Sequence, residues 1–199
     1  MTNDELTDKI IEKILSKRPH QNSFHELIAG FEQKLDEIDF TRAPISVEAY
    51  FGVGVGKSGA CKRLLNERKI YENILSIKEK DSSRDFKGIY FFVHETTPFY
   101  VGISRRVLQR IGQHVKGHDI NTSSLAYRIA KIRYALQHNA QATETKTKEW
   151  FSEYVKDAQR FLLQQKVVFL PIANDEEMYL FEVFCSMKLG TSLNLFETH

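Results

Sequence analysis

Five residues of this chain have the types and spacing to do chemistry: Tyr90 and Tyr100, Arg110 and His114, and Glu182. Glu182 constrains the reading most, because it is the only charge in the ten residues from Met178 to Met187. At helical spacing it is surrounded by Met178, Phe181, Cys185 and Leu189, and burying an unpartnered carboxylate there would cost several kcal/mol or raise its pKa. A cation is therefore expected to meet it. The candidates are an arginine in a structural salt bridge and a hard metal ion such as Mg²⁺, held through the carboxylate together with water and phosphate. Arg110 and His114 lie four residues apart, on one helix face beside its apolar stripe, where they can point at one ligand or line a solvated edge. Tyr90 and Tyr100 are ten residues apart among Ile89, Phe91, Phe92, Phe99 and Val101, and taken alone they read as core aromatics.

The elements that must position these residues are legible from periodicity. Gly88 to His94 and Pro98 to Ser104 read as the strands of a hairpin with a turn at Glu95 to Pro98. Ser104 can then cap a helix reaching about Lys116, with Val107, Leu108, Ile111 and Val115 as its apolar stripe. Two more helices are expected at about 123–138 and 146–164, joined by the polar stretch Asn139 to Thr145. Lys166 to Ile172 is a short β-branched strand with Pro171 near its exit. Asn174, with Glu177 as the partner of the cap, opens a last helix that Gly190 ends after about Leu189.

The first 40 residues read as a helical pair. One amphipathic helix covers 5–18, with Leu6, Ile10, Ile11, Ile14 and Leu15 as its stripe and Pro19 as its stop. A second runs from about Phe24 to Ile38, opened by a capping box of Ser23 and Glu26. Glycines at 52–56 lead into a helix from Ser58 to about Lys80. A phosphate-binding loop of the G-x-x-x-x-G-K-[ST] kind would need glycine at position 51, which is Phe51, so a flexible turn is the reading.

Charge is unevenly placed. The 199 residues hold 28 basic and 26 acidic side chains, a formal net charge of +2. Residues 1–40 carry nine acidic and five basic side chains, whereas 104–133 carry seven basic ones (Arg105, Arg106, Arg110, Lys116, Arg128, Lys131, Arg133) and only Asp119. That stretch suits an anionic partner, although basic helix faces also occur as plain solvated surface. Cys61 and Cys185 are far apart and lack metal-ligand spacing, so two free thiols in a cytoplasmic protein are expected, without zinc. No apolar run long enough for a membrane span is present, and the N-terminus is acidic rather than signal-like.

Taken together, these residues resemble the GIY-YIG endonuclease family. Gly88-Ile89-Tyr90 stands as the first triplet and Tyr100-Val101-Gly102 as the second, with Val for Ile. Arg110 matches the family's helix arginine, His114 the histidine one turn later, Glu182 the metal-binding glutamate of a late helix, and Asn194 the closing asparagine. The likeness covers roughly 87–199. Two departures concern substrate choice: the helical insertion at about 120–165, and residues 1–86, an N-terminal helical region that resembles nothing placeable.

The resemblance implies an α+β fold, a small three-stranded antiparallel sheet flanked by helices, and an endonuclease hydrolysing phosphodiester bonds in DNA, of restriction, defence or recombination type. It implies catalytic roles for Tyr90, Tyr100, Arg110, His114, Glu182 and Asn194. One Mg²⁺ or Mn²⁺ per active site would be held by Glu182, since no second carboxylate falls near these motifs. Tyr90 or Tyr100 would orient or deprotonate the attacking water, and Arg110 would neutralise charge on the phosphorus. Phosphate contacts are expected from Arg105, Arg106, Arg128, Lys131 and Arg133, and cutting both strands of a duplex favours a homodimer. The acidic N-terminal pair, a poor DNA surface, is expected to pack on the core or on a second subunit. The competing expectations are a catalytically silent nucleic-acid-binding module of the same fold and an interaction domain in which Tyr90, Tyr100 and Glu182 are structural only.

Overall fold

The computed structural model describes residues 3–16, 23–42, 46–51, 85–139 and 151–194. The expected helix over 58–80, the glycine loop before it, Cys61, Pro19 and most of the 139–145 connection lie outside these residues. The described elements are helices α1 (Asn3–Leu15), α2 (Phe24–Ala29), α3 (Phe31–Asp36) and α4 (Val47–Phe51), strands β1 (Gly88–His94) and β2 (Thr97–Ser104), helices α5 (Val107–Lys116), α6 (Ser124–His138) and α7 (Phe151–Gln164), strand β3 (Lys166–Pro171) and helix α8 (Asp175–Leu189).

The three strands form one antiparallel sheet in the order β2-β1-β3. β1 is central, and its run Ile89 to Val93 is 0% exposed because both faces are covered, which is why it reads as a continuous apolar stretch rather than an alternating one. Tyr90 and Phe92 face a core built with α5, α6 and α7, joined by Val167 and Phe169 of β3. Ile89, Phe91 and Val93 face the opposite core with Met178, Phe181 and Cys185 of α8. The sheet thus separates two helical layers, an α+β arrangement. Among the described residues no helix is long and apolar enough to cross a membrane.

The hairpin turns on Glu95 and Thr96, with Glu95 in the left-handed region at φ 56°. β2 consequently starts at Thr97, one residue before the expected point, and Pro98 falls inside the strand, where an edge position spares the missing N–H. The last helix follows the sequence reading: Asn174 accepts from the Glu177 N–H at 3.0 Å, and Gly190 closes it with φ 63°. Glu177 does not return the bond; its carboxylate pairs with Lys34 of α3.

The single helix expected over 24–38 is instead two, broken at Gly30, where the chain turns at φ −90° and ψ −3°. The Ser23–Glu26 capping box is present at its start. The break lets both pieces dock on the outer side of α8: Leu27 and Phe31 are buried there, with the Phe31 ring 5.0 Å from Phe181 and 5.5 Å from Phe184. Ion pairs Lys34–Glu177 and Lys188–Glu32 tie the same surfaces. Val47 of α4, 0% exposed, enters the other core, and its N–H donates to the Gln165 carbonyl at 2.8 Å. Helices α2, α3 and α4 therefore supply side chains to both layers, through Leu27, Phe31 and Val47.

Candidate active site

Tyr90 and Tyr100 project from one face of the hairpin because the register pairs Tyr90 with Gly102 and Tyr100 with Phe92. Gly102 lets the Tyr90 ring lie across β2: a Cβ there would sit 2.5 Å from the Tyr90 hydroxyl oxygen. Gly88 meets a different need, since its Cβ would approach the Pro171 Cα of β3 to 2.9 Å. Both glycines are thus required by close approach across the sheet.

α5 lies over this face. The Tyr90 hydroxyl and His114 Nε2 share a hydrogen bond of 2.8 Å, its direction set by which ring nitrogen carries the proton. Tyr90 and His114 are 0% exposed and Tyr100 is 9% exposed. Burial, and then the fields of Arg110 and Arg128, push His114 down to about 3, so its ring is neutral near physiological pH. Its Nδ1 has no hydrogen-bond partner among the described residues. His114 therefore lies inside the core rather than beside the apolar stripe as expected, because α5 turns this side to the aromatic face of the sheet.

The two phenols are also shifted. Burial lifts Tyr90 well above its ordinary value, and Tyr100 and Glu182 add to the rise while Arg110 opposes it. Burial and Glu182 raise Tyr100, whereas Arg110, Arg128 and a hydrogen bond with Tyr90 pull it down. Glu182 is half-buried on α8, the helix that packs on β2, the edge strand that carries Tyr100. Desolvation lifts its carboxyl to about 7. Among the described residues no arginine, lysine or histidine forms an ion pair with it, so the expected structural salt bridge is not found there. No group of three or more His, Cys, Asp or Glu side chains that could hold a metal occurs among them either. The donor set fits a cation taking one protein carboxylate and completing its shell with water and phosphate oxygens.

Arg110 does not run parallel to His114. Its Nη1 donates to the carbonyls of Asn121 and Thr122 at 3.3 and 3.2 Å and to Gln113 Oε1 at 3.3 Å, and its Nη2 donates to Ser124 Oγ at 3.0 Å. It grips the corner between α5 and α6 while its field still reaches Tyr90, Tyr100 and His114. Ser123 Oγ closes the same corner by donating to the His114 carbonyl at 2.7 Å.

Asn194 binds backbone on the free edge of β2: its Oδ1 accepts from the Val101 N–H at 2.9 Å and its Nδ2 donates to the Val101 carbonyl at 2.7 Å. Thr191 Oγ1 donates to the same Oδ1 at 3.0 Å. Its amide positions the segment after α8 beside Tyr100. The five expected phosphate-contacting residues separate. Arg105 pairs with Asp175 and Arg133 with Asp157; Arg106 is exposed and donates to Gln109 at 3.2 Å. Lys131 is half-buried on α6. Arg128, also half-buried, donates through Nη1 to the Leu193 carbonyl at 2.6 Å.

One positioning residue had no signal in the sequence. Ser104 accepts from the Arg106 N–H at 2.9 Å and does not cap α5. Asp85 does, its carboxylate accepting from the Leu108 N–H at 2.9 Å and the Gln109 N–H at 3.0 Å. It lies 23 residues before Leu108 and outside the helix, where no capping pattern points to it.

No curated protein matches the chain, and no solved structure does. A family model does match, over a segment that holds Tyr90, Tyr100, Arg110 and His114 and ends before Glu182 and Asn194. The hairpin, the helix laid across it and the corner that Arg110 grips fall in residues 86–156, which match the GIY-YIG catalytic domain, the catalytic unit of a nuclease superfamily.

Proposed function

We propose that the chain is an endonuclease that hydrolyses phosphodiester bonds in DNA with one divalent cation, Mg²⁺ or Mn²⁺, held by Glu182. The observation that carries this reading is a mismatch of charge: among the described residues Glu182 has no cation partner and Arg110 and Arg128 have no carboxylate partner, yet the charges of all three bear on buried Tyr100. Such a site is completed by a ligand that brings both signs, a phosphate with its metal. Bound there, the cation would supply positive charge to the phosphate and to the leaving oxygen.

The chain's own groups account for the rest. Tyr90 or Tyr100 orients the attacking water, and the 2.8 Å hydrogen bond with neutral His114 fixes the Tyr90 hydroxyl while it does so; the water's proton leaves to solvent or to a phosphate oxygen rather than to the buried ring. Arg110 offsets charge growing on the phosphoryl oxygens. Asn194 acts through the segment it pins. Cutting both strands from one site per chain requires two subunits or two encounters, and we favour a homodimer.

The test is incubation of wild type and Glu182→Ala with supercoiled plasmid and with single-stranded oligonucleotides, each in Mg²⁺, Mn²⁺ or EDTA. Metal-dependent cutting by wild type alone is the expected result, and plasmid cutting marks DNA duplex as substrate. Binding without cutting in every condition would make the chain a silent nucleic-acid-binding module and overturn the proposal.

A further inference from the structure

The corner between α5 and α6 is built around the site's own residues, and it delivers a second arginine. Arg110 holds the carbonyls of Asn121 and Thr122 and the Ser124 hydroxyl, and Ser123 is bonded to His114, so the start of α6 is fixed relative to Tyr90. Arg128 follows Ser124 by four residues, on the same helix face. It spends one N–H on the Leu193 carbonyl, next to the asparagine that pairs with Val101. Its field is felt at both Tyr100 and His114.

The other basic side chains fare differently. Arg105 and Arg133 are each met by an aspartate. Among the described residues Arg128 has no carboxylate partner, although it is half-buried and four of its five N–H donors are uncommitted. A guanidinium kept partly out of water, whose field reaches the same Tyr100 and His114 as that of Arg110, is a poor arrangement for an empty protein and a good one for a phosphodiester.

We infer that Arg128 is a second phosphate-gripping arginine of this site, contributed by the helical insertion, which donates to a non-bridging oxygen of the nucleic-acid backbone on the Tyr100 side. The inference rests on the nuclease reading and specifies which insertion residue touches substrate. Arg110 then both contacts charge and positions Arg128, through the corner it holds.

The experiment uses a duplex that wild type cuts, with a single uncharged methylphosphonate placed in turn at the scissile position and at each neighbour. Wild type, Arg128→Ala, Arg128→Gln and Arg128→Lys are compared for cleavage, for binding in EDTA and for unfolding midpoint. Gln keeps a donor for the Leu193 carbonyl but no charge, so it separates phosphate contact from support of the tail. Expected are losses of roughly 10- to 100-fold in kcat/KM for Ala and Gln, partial recovery with Lys, and one methylphosphonate position that weakens wild type while leaving Arg128→Ala unchanged. If Ala does not fold, the Gln and Lys variants carry the same comparison. Wild-type cleavage with full activity in Arg128→Gln, or no position at which the penalties merge, would overturn this inference alone. A wild type that neither binds nor cuts would remove it together with the nuclease reading.

Discussion

Ionised Glu182 works against the fold. Burial raises its carboxyl from 4.5 to about 7, so the folded chain holds this proton more tightly than the unfolded one. The associated stability is fully present below pH 4.5 and is lost as pH rises through about 7. His114 behaves oppositely: its folded value of about 3 lies below the ordinary one, so stability falls as pH drops below about 6.5. Comparing Glu182→Gln with wild type cancels the histidine. We expect the variant to gain stability relative to wild type between pH 5 and pH 8, read as unfolding midpoints, and Mg²⁺ to raise the midpoint of wild type only. A difference that does not change with pH would show that Glu182 is well hydrated. Its burial was legible in the sequence, where a lone charge stands in an apolar helix, but the arginine that the same pattern offered as a partner is not found among the described residues. The burial of His114 was not legible, since a position beside an apolar stripe does not show how deeply the facing sheet receives it.

At the scale of elements, the site depends on how α5 is anchored. Its first N–H groups are met by Asp85 from outside the helix, where the cap substitutes for the absent side-chain bond of Arg106. Asp85→Ala should cost about 0.5–2 kcal/mol, and it should reduce cleavage beyond that loss by loosening the helix that carries Arg110 and His114. Thermal unfolding beside kcat measures both; unchanged kcat would mean that the sheet alone orients α5. The hairpin and α8 were readable because their signals are local: alternating and β-branched stretches, Asn174 at the start and Gly190 at the end. The split between α2 and α3 at Gly30 was not, because a continuous apolar stripe over 24–38 hides a turn that only docking on α8 makes favourable.

Across the whole molecule, the sheet divides two cores that α2, α3 and α4 help to fill. Phe31, 1% exposed, packs against Phe181 and Phe184 on the helix that carries Glu182. Phe31→Ala should cost roughly 3–5 kcal/mol and lower one cooperative transition by several degrees. Two separate transitions in calorimetry would instead show that the N-terminal helices unfold independently of the sheet. Of the N-terminal pair expected to pack on the core or on a second subunit, α2 and α3 dock on the core, whereas α1 leaves Leu6, Ile10, Ile11, Ile14 and Leu15 exposed. The contacts of Phe31 join residues about 150 apart in sequence, beyond the reach of periodicity.

The bonds between Asn194 and Val101 act on more than the site. β2 is an outer strand, and an outer strand offers unpaired N–H and C=O groups to any other extended chain. By occupying both backbone groups of Val101 with one side-chain amide, the segment after α8 blunts the middle of that strand, and so guards the protein against the strand-to-strand stacking that leads to aggregates.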